Sequence, residues 1–189
     1  MPNALTATRA LLTVPFVLLM RGESAPSAWE AALVLAAAVV TDVLDGWIAR
    51  RRGVPTAAGA VLDHAADCLF VTGGLAAGAA RGAFPWILPV LVAAAFVQYV
   101  VDSYWVHRER ALRASMLGRW NGMLYFAPLT GDVLVRAGLG VIQPVVTVLA
   151  WTLVGSTVIS MGERLCMVMR SWRRAPGWPV EGRGDRSPR

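Results

Sequence analysis

The chain has 189 residues, of which 56% are apolar and only 16% charged, and its formal net charge is +6. That length suits one domain, and that composition excludes an ordinary soluble one. The basic excess could suit nucleic acid, but its placement along the chain, set out below, excludes that reading.

The apolar residues form six blocks, at roughly 4–20, 28–48, 60–80, 84–106, 120–139 and 142–167. A helix needs about 20 mostly apolar residues, at ~1.5 Å rise each, to cross a bilayer. The first block is a little short, and Arg9 inside it gives it a half-interfacial character. No small-residue cleavage site and soluble body follow it, so it does not read as a signal peptide. Pro26 and Ser27 lead into block two, and Gly53-Val54-Pro55 forms a tight turn before block three. Block three carries Gly74, Gly78 and Gly82 at four-residue spacing, which permits close helix approach. That stripe packs either within the protomer or across a homodimer, and spacing does not separate the two. Gly82 to Pro85 divides blocks three and four, and Gln143-Pro144 opens block six. From about Ser171 the chain is rich in Arg, Pro and Gly and reads as a disordered cytoplasmic tail. The expected organisation is a six-helix transmembrane domain over 1–170 and a basic tail over 171–189.

All 18 basic residues are arginine. They gather in alternate connections: Arg50, Arg51 and Arg52, then Arg108, Arg110, Arg113 and Arg119, then a C-terminal group from Arg164 to Arg189. The other connections hold only Arg21, Arg81 and Arg136. Under the positive-inside rule both termini lie in the cytoplasm, as expected for a multi-pass protein of the cell inner (cytoplasmic) membrane. The charge is thus a topology signal and an attraction for anionic membrane lipid, with no nucleic-acid partner. Trp29 and Trp86 fall at one expected interface, and Trp105, Trp120 and Trp172 at the other. Cys68 and Cys166 lack metal-type spacing and read as small buried hydrophobes. The fold expected is all-α, an integral membrane bundle of six transmembrane helices with a polar cavity at the cytoplasmic side.

Four carboxylates interrupt this apolar pattern. Asp42 and Asp45 end block two, and Asp63 and Asp67 begin block three. Ionised groups inside membrane segments are costly, so they normally face a polar cavity and mark function. Spacings of three and four place each pair on one helical face, and the short turn between the blocks folds the two faces together. Four like charges in a half-buried pocket repel strongly and are driven to protonate, and divalent metal is the simplest remedy. Carboxylate oxygens suit hard cations such as Mg2+ or Mn2+. Two facing carboxylate pairs are the usual frame of a two-metal site, which clamps a diphosphate. Gly46 and Gly59 leave gaps where a ligand could lie against backbone, and Arg50 offers a bidentate fork to phosphate. A structural ion-pair cluster with Arg50–Arg52 explains neither the glycines nor the gaps.

The stretch Asp42–Asp67 resembles the signature of the CDP-alcohol phosphotransferase family, D-x2-D-G-x2-A-R-x8-G-x3-D-x3-D. Asp42, Asp45, Gly46, Ala49, Arg50, Gly59, Asp63 and Asp67 fill all its fixed positions. Pro2 to Arg9 also resembles the family's N-terminal P-N-x-L-T-x-x-R segment. The resemblance implies transfer of a phosphatidyl group from CDP-diacylglycerol to a small alcohol acceptor, with release of CMP. It implies that Asp42, Asp45 and Asp63 ligate the metals and the diphosphate, and that Asp67 shares the metal and acts as general base. Gly46, Ala49 and Gly59 would line the cytidine pocket, with Arg50 near the phosphates. Asn3, Thr6, Arg9, Arg113 and Arg119 are candidate substrate contacts. Against these stand plainer readings: a helix cap for Asn3, a snorkelling anchor for Arg9, and positive-inside charge for Arg113 and Arg119. His64 points about 100° away from Asp63 and is expected as a helix-packing or interfacial histidine ahead of a substrate contact.

The acceptor is less sharply marked. Phosphatidylglycerophosphate synthases usually show proline and lysine where this chain has His64 and Cys68, and their Gly-Lys dipeptide appears as Gly118-Arg119. Inositol-phosphate enzymes tend to carry an arginine at the Cys68 position. Glycerol 3-phosphate is the acceptor expected, with inositol phosphate, serine or phosphatidylglycerol as alternatives. A divalent-cation transporter is the rival from another class, but it would place its carboxylates near the bilayer midplane.

Overall fold

The computed structural model describes residues 2–52, 57–101 and 116–173; for 2–5, 45–52, 57–61, 116, 119, 168 and 170–173 it describes backbone only. The described residues are all-helical: α1 (Pro2–Arg21), α2 (Ala25–Arg52), α3 (Ala57–Ala80), α4 (Ile87–Val101), α5 (Met116–Leu124), α6 (Phe126–Arg136), a 3-10 turn (Gly140–Ile142) and α7 (Gln143–Arg173). Each apolar block carries helix over its described residues, residues 102–106 of block four lying outside them, and one difference stands out. Block five is broken at Tyr125 into α5 and α6. Pro128 accounts for the break: it has no N–H to offer the Leu124 carbonyl, and its ring crowds that oxygen. α7 runs to Arg173, and residues 174–189, most of the expected tail, lie outside the described residues.

Short connections hold α1, α2 and α3 together. Between α1 and α2, the Ser24 hydroxyl accepts from the Ser27 N–H at 3.4 Å, an N-cap on α2. At the end of α3, Gly82 has φ +81°, a left-handed conformation that closes the turn. The Ala83 N–H then reaches back to the Gly78 carbonyl at 3.0 Å.

α1 lies against both α2 and α3. Its Phe16 stacks on Phe70 of α3 with ring centroids 4.3 Å apart, and Phe70 in turn meets Phe126 of α6 at 6.4 Å. Gly74 makes this closeness attainable, because a Cβ there would stand 2.5 Å from Phe16 Cε1. Gly78 gives similar room to the Phe84 ring. Two of the three stripe glycines therefore serve packing within the protomer, and the third serves a turn.

The far end of α1 is tied down by charge. Asp132 of α6 accepts from Arg81 Nη2 at 2.5 Å and lies 3.4 Å from Arg136 Nε, with all three side chains largely buried. Arg81 Nε also donates to the Met20 carbonyl, and Arg136 Nη1 to the Leu19 and Gly22 carbonyls. The two arginines thus bond carbonyls at and just past the α1 C-terminus, where a helix runs out of its own N–H donors.

The outer surface is apolar. Leu11, Leu33 and Val148 are 75%, 72% and 66% exposed, and Trp29, Trp86 and Trp120 also face outward. Segments 25–44 and 140–167 are long and apolar enough to cross a membrane, with most of their residues outside the core. So large an exposed apolar surface fits lipid surroundings. Cys68 is half-buried and Cys166 exposed, so the buried reading fails for Cys166. On a lipid-facing helix an exposed thiol needs no protein cover.

Candidate active site

Three helices bring their polar residues to one place. α2 carries Asp42, α3 carries Asp63 and Asp67 one turn apart, and α1 carries Thr6 and Arg9 on the face turned toward them. The Arg9 guanidinium sits among the three carboxylates. Its Nη2 donates to Asp42 Oδ1 at 3.0 Å, and its Nη1 donates to Asp63 Oδ1 at 3.2 Å and to Asp67 Oδ1. The Thr6 hydroxyl donates to Asp63 Oδ1 at 3.4 Å.

Burial differs sharply across this cluster. The Arg9 side chain is 1% exposed, whereas those of Asp42, Asp63 and Asp67 are 51%, 32% and 30% exposed. Arg9 is therefore no snorkelling anchor. A buried guanidinium is tolerable only when paired, and carboxylates from two other helices supply the pairing. One hydrogen of the fork is left over, since Arg9 Nε is buried without a hydrogen-bond partner.

His64 joins the group. One ligand atom each from Asp63, His64 and Asp67 lies within 4.8 Å of the others. Two carboxylates and an imidazole, partly open to the outside, could together hold a divalent metal ion. The His64 ring also stacks with Tyr99 of α4 at 5.7 Å. The helical rotation that turns it away from Asp63 leaves it at the rim of a cavity.

That cavity has a volume of about 620 Å³ and is bounded by α2, α3, α4, α7 and the α5–α6 break. Asp42, His64 and Asp67 stand on its wall with Tyr99 and Arg164, while Val71, Val92 and Phe96 make it largely apolar. The Arg164 guanidinium lies 4.9 Å over the Tyr99 ring. Deeper, the Tyr125 hydroxyl bonds Thr157 at 2.8 Å. Carboxylates at one wall, a guanidinium at another and apolar surface between suit a ligand with both charged and greasy parts.

The structure thus brings together Thr6, Arg9, Asp42, Asp63 and Asp67 from among the residues expected at the site. Arg113 lies outside the described residues, as do the side-chain positions of Asn3, Asp45, Gly46, Ala49, Arg50, Gly59 and Arg119. Two further residues stand on the cavity wall: His64, whose stack on Tyr99 of α4 agrees with the expected helix packing, and Arg164, which the sequence offers only as part of the C-terminal positive charge. The second had a signal: Thr157, Ser160, Met161 and Arg164 follow the spacing of one helical face, and all four line the cavity.

An acidic centre at the wall of a mixed cavity, inside an apolar helical bundle, suits an enzyme whose ligands have both charged and apolar parts. Comparison with known proteins gives it a family. The family model described as CDP-alcohol phosphatidyltransferase matches residues 1–163, and the chain belongs to that family. It is an enzyme of phospholipid biosynthesis that takes a CDP-alcohol donor and an alcohol acceptor. Among curated proteins it is similar to a phosphatidylinositol phosphate synthase of Mycobacterium marinum, 34% identical over 182 residues, covering 90% of this chain and 74% of that one. No solved structure matches. The relative gives no support to glycerol 3-phosphate as the acceptor expected from the sequence.

Proposed function

We propose that this protein transfers the phosphatidyl group of CDP-diacylglycerol to a phosphorylated inositol, releasing CMP. The observation that carries the reading is the convergence of Asp42, Asp63 and Asp67 on one guanidinium at the wall of the cavity. The printed function of the Mycobacterium marinum relative favours an inositol phosphate acceptor over glycerol 3-phosphate. Arg164 on the same cavity wall suits an acceptor that carries phosphate.

Asp42, Asp63 and Asp67, with Asp45 from the same signature, would hold Mg2+ or Mn2+, with His64 as a neighbouring donor. Bound there, a divalent ion neutralises the diphosphate and the charge that develops on the leaving oxygen. The residues supply the rest. Asp67, facing the cavity, takes the proton from the acceptor hydroxyl as that oxygen bonds to the lipid-side phosphorus. The bond from that phosphorus to the oxygen bridging it to CMP breaks, and CMP leaves with the electron pair. Gly46, Ala49, Gly59 and Arg50 hold the cytidine and phosphates, and the apolar wall receives the acyl end. Asn3, Arg113 and Arg119 complete the substrate contacts. The chain lies in the inner membrane with six crossings, the α5–α6 pair counting as one, and with both termini and the site at the cytoplasmic face.

The test is to incubate membranes containing the protein with CDP-diacylglycerol and, in turn, inositol phosphate, inositol, glycerol 3-phosphate, serine and phosphatidylglycerol. CMP release and the lipid formed are read together. CMP release with inositol phosphate alone is expected, and a phosphatidylglycerophosphate product would overturn the acceptor assignment.

A further inference from the structure

Arg9 shares Asp63 and Asp67 with the Asp63–His64–Asp67 group that could hold a divalent cation. Its fork bridges α2 to α3 through Oδ1 of Asp42, Asp63 and Asp67, and these aspartates are the residues that would hold the ion. One guanidinium faces three carboxylates there, so acidic groups outnumber the positive charge. The cluster is therefore held together but not neutralised, and it still attracts a doubly charged ion. Burial makes the rivalry acute. At 1% exposure Arg9 has little water between its charge and any ion among the same oxygens, and like charges so placed repel strongly.

Resting on the metal site of the proposed function, we infer that Arg9 is an internal counter-cation that exchanges with the divalent ion. Its guanidinium keeps the carboxylates of α2 and α3 together, and it is displaced from them when metal binds. Arg9 is then a positioning residue that sets metal affinity, and no direct substrate contact is needed to account for it. The unpartnered Nε agrees with a fork placed by its carboxylates and not fully anchored by its surroundings.

The experiment titrates Mn2+ into the detergent-solubilised full chain and reads free Mn2+ by electron paramagnetic resonance, alongside the shift in thermal midpoint at saturating Mn2+. Wild type, Arg9→Gln and Arg9→Lys are compared. Removing the competing charge tightens Mn2+ binding by roughly tenfold in Arg9→Gln, and the Mn2+-induced thermal shift grows with it. Arg9→Lys keeps the charge but loses the three-way fork, so its binding falls between the two. Equal or weaker binding in Arg9→Gln would show that the ion uses outer oxygens with Arg9 in place, which overturns the exchange. If Arg9→Gln does not yield folded protein, Arg9→Lys decides, and binding no tighter than wild type overturns the inference. Failure of wild type to bind Mn2+ at all would instead overturn the metal site of the proposed function.

Discussion

Arg9 Nη2 lies 3.0 Å from Asp42 Oδ1, although the two residues sit on different helices and 33 positions apart. With Asp63 and Asp67 it ties α1, α2 and α3 at the acidic end. At the other end of α1 the buried group of Arg81, Asp132 and Arg136 grips the last carbonyls. The helix that presents Arg9 is thus fixed at both ends by ion pairs, with stacked aromatics between.

Asp132 is the centre of the second tie, and its loss leaves two buried arginines facing each other. Breaking a buried pair on one side costs on the order of 3–5 kcal/mol. Asp132→Ala should lower the thermal midpoint in detergent more than Asp132→Asn, which keeps one acceptor oxygen. An Asp132→Ala protein as stable as wild type would show that the triad does not hold α1.

How much of this was legible in the sequence differs by residue, for physical reasons. Lipid demands long apolar runs, so the helices stand out in composition alone. The aspartates stand out because nothing apolar explains them. The break at Tyr125 was hidden by an apolar block that reads as continuous across Pro128. Arg9 was legible as a candidate site residue from its N-terminal segment, but its carboxylate partners were not, because they lie 33, 54 and 58 residues away. The helical angle of His64 marked a packing role, and α4 supplies Tyr99 to hold its ring beside the acidic group. The acceptor was least legible. Cys68 departs from the arginine of inositol-phosphate enzymes, while similarity over 182 residues points back to one.

Gly74 tests the packing that carries α1. A methyl group there would stand 2.5 Å from Phe16 Cε1 and 3.0 Å from Leu129 Cδ2. Neither neighbour can retreat easily, since Phe16 is stacked on Phe70. Overpacking of this kind costs roughly 1–3 kcal/mol. Gly74→Ala should lower the thermal midpoint, and Phe16→Leu in the same chain should restore part of the loss. An unchanged midpoint in the single mutant would mean that α1 and α3 are not held this closely.

Arg164 tests the acceptor pocket. A hydrogen-bonded charge pair with phosphate contributes about 1.5–3 kcal/mol. Arg164→Gln should therefore raise KM for inositol phosphate by roughly 10- to 100-fold, with little change in KM for CDP-diacylglycerol. The stack on Tyr99 would also be weakened, so Tyr99→Phe, which keeps a ring under the guanidinium, serves as the control. Should KM rise equally for both substrates, Arg164 supports the cavity as a whole and is not the acceptor's phosphate partner.

Asp67 and Asp42 both bond Arg9, but only the first is assigned a proton. Asp67→Asn keeps the size of the side chain and one carbonyl oxygen, yet it cannot take a proton from the acceptor. A positioned general base contributes about 10²–10⁴ in rate, so turnover should fall by that order while CDP-lipid affinity changes little. Asp42→Asn removes a charged ligand on α2 and should weaken metal and CDP-lipid binding together. Both mutants lose one carboxylate from the Arg9 cluster, so a purely structural effect would move them alike. Nucleotide-lipid affinity and turnover are measured for both in the same membranes. Near wild-type turnover in Asp67→Asn, or a loss of binding matching that of Asp42→Asn, would reject Asp67 as the base and leave the proton to another group on the cavity wall.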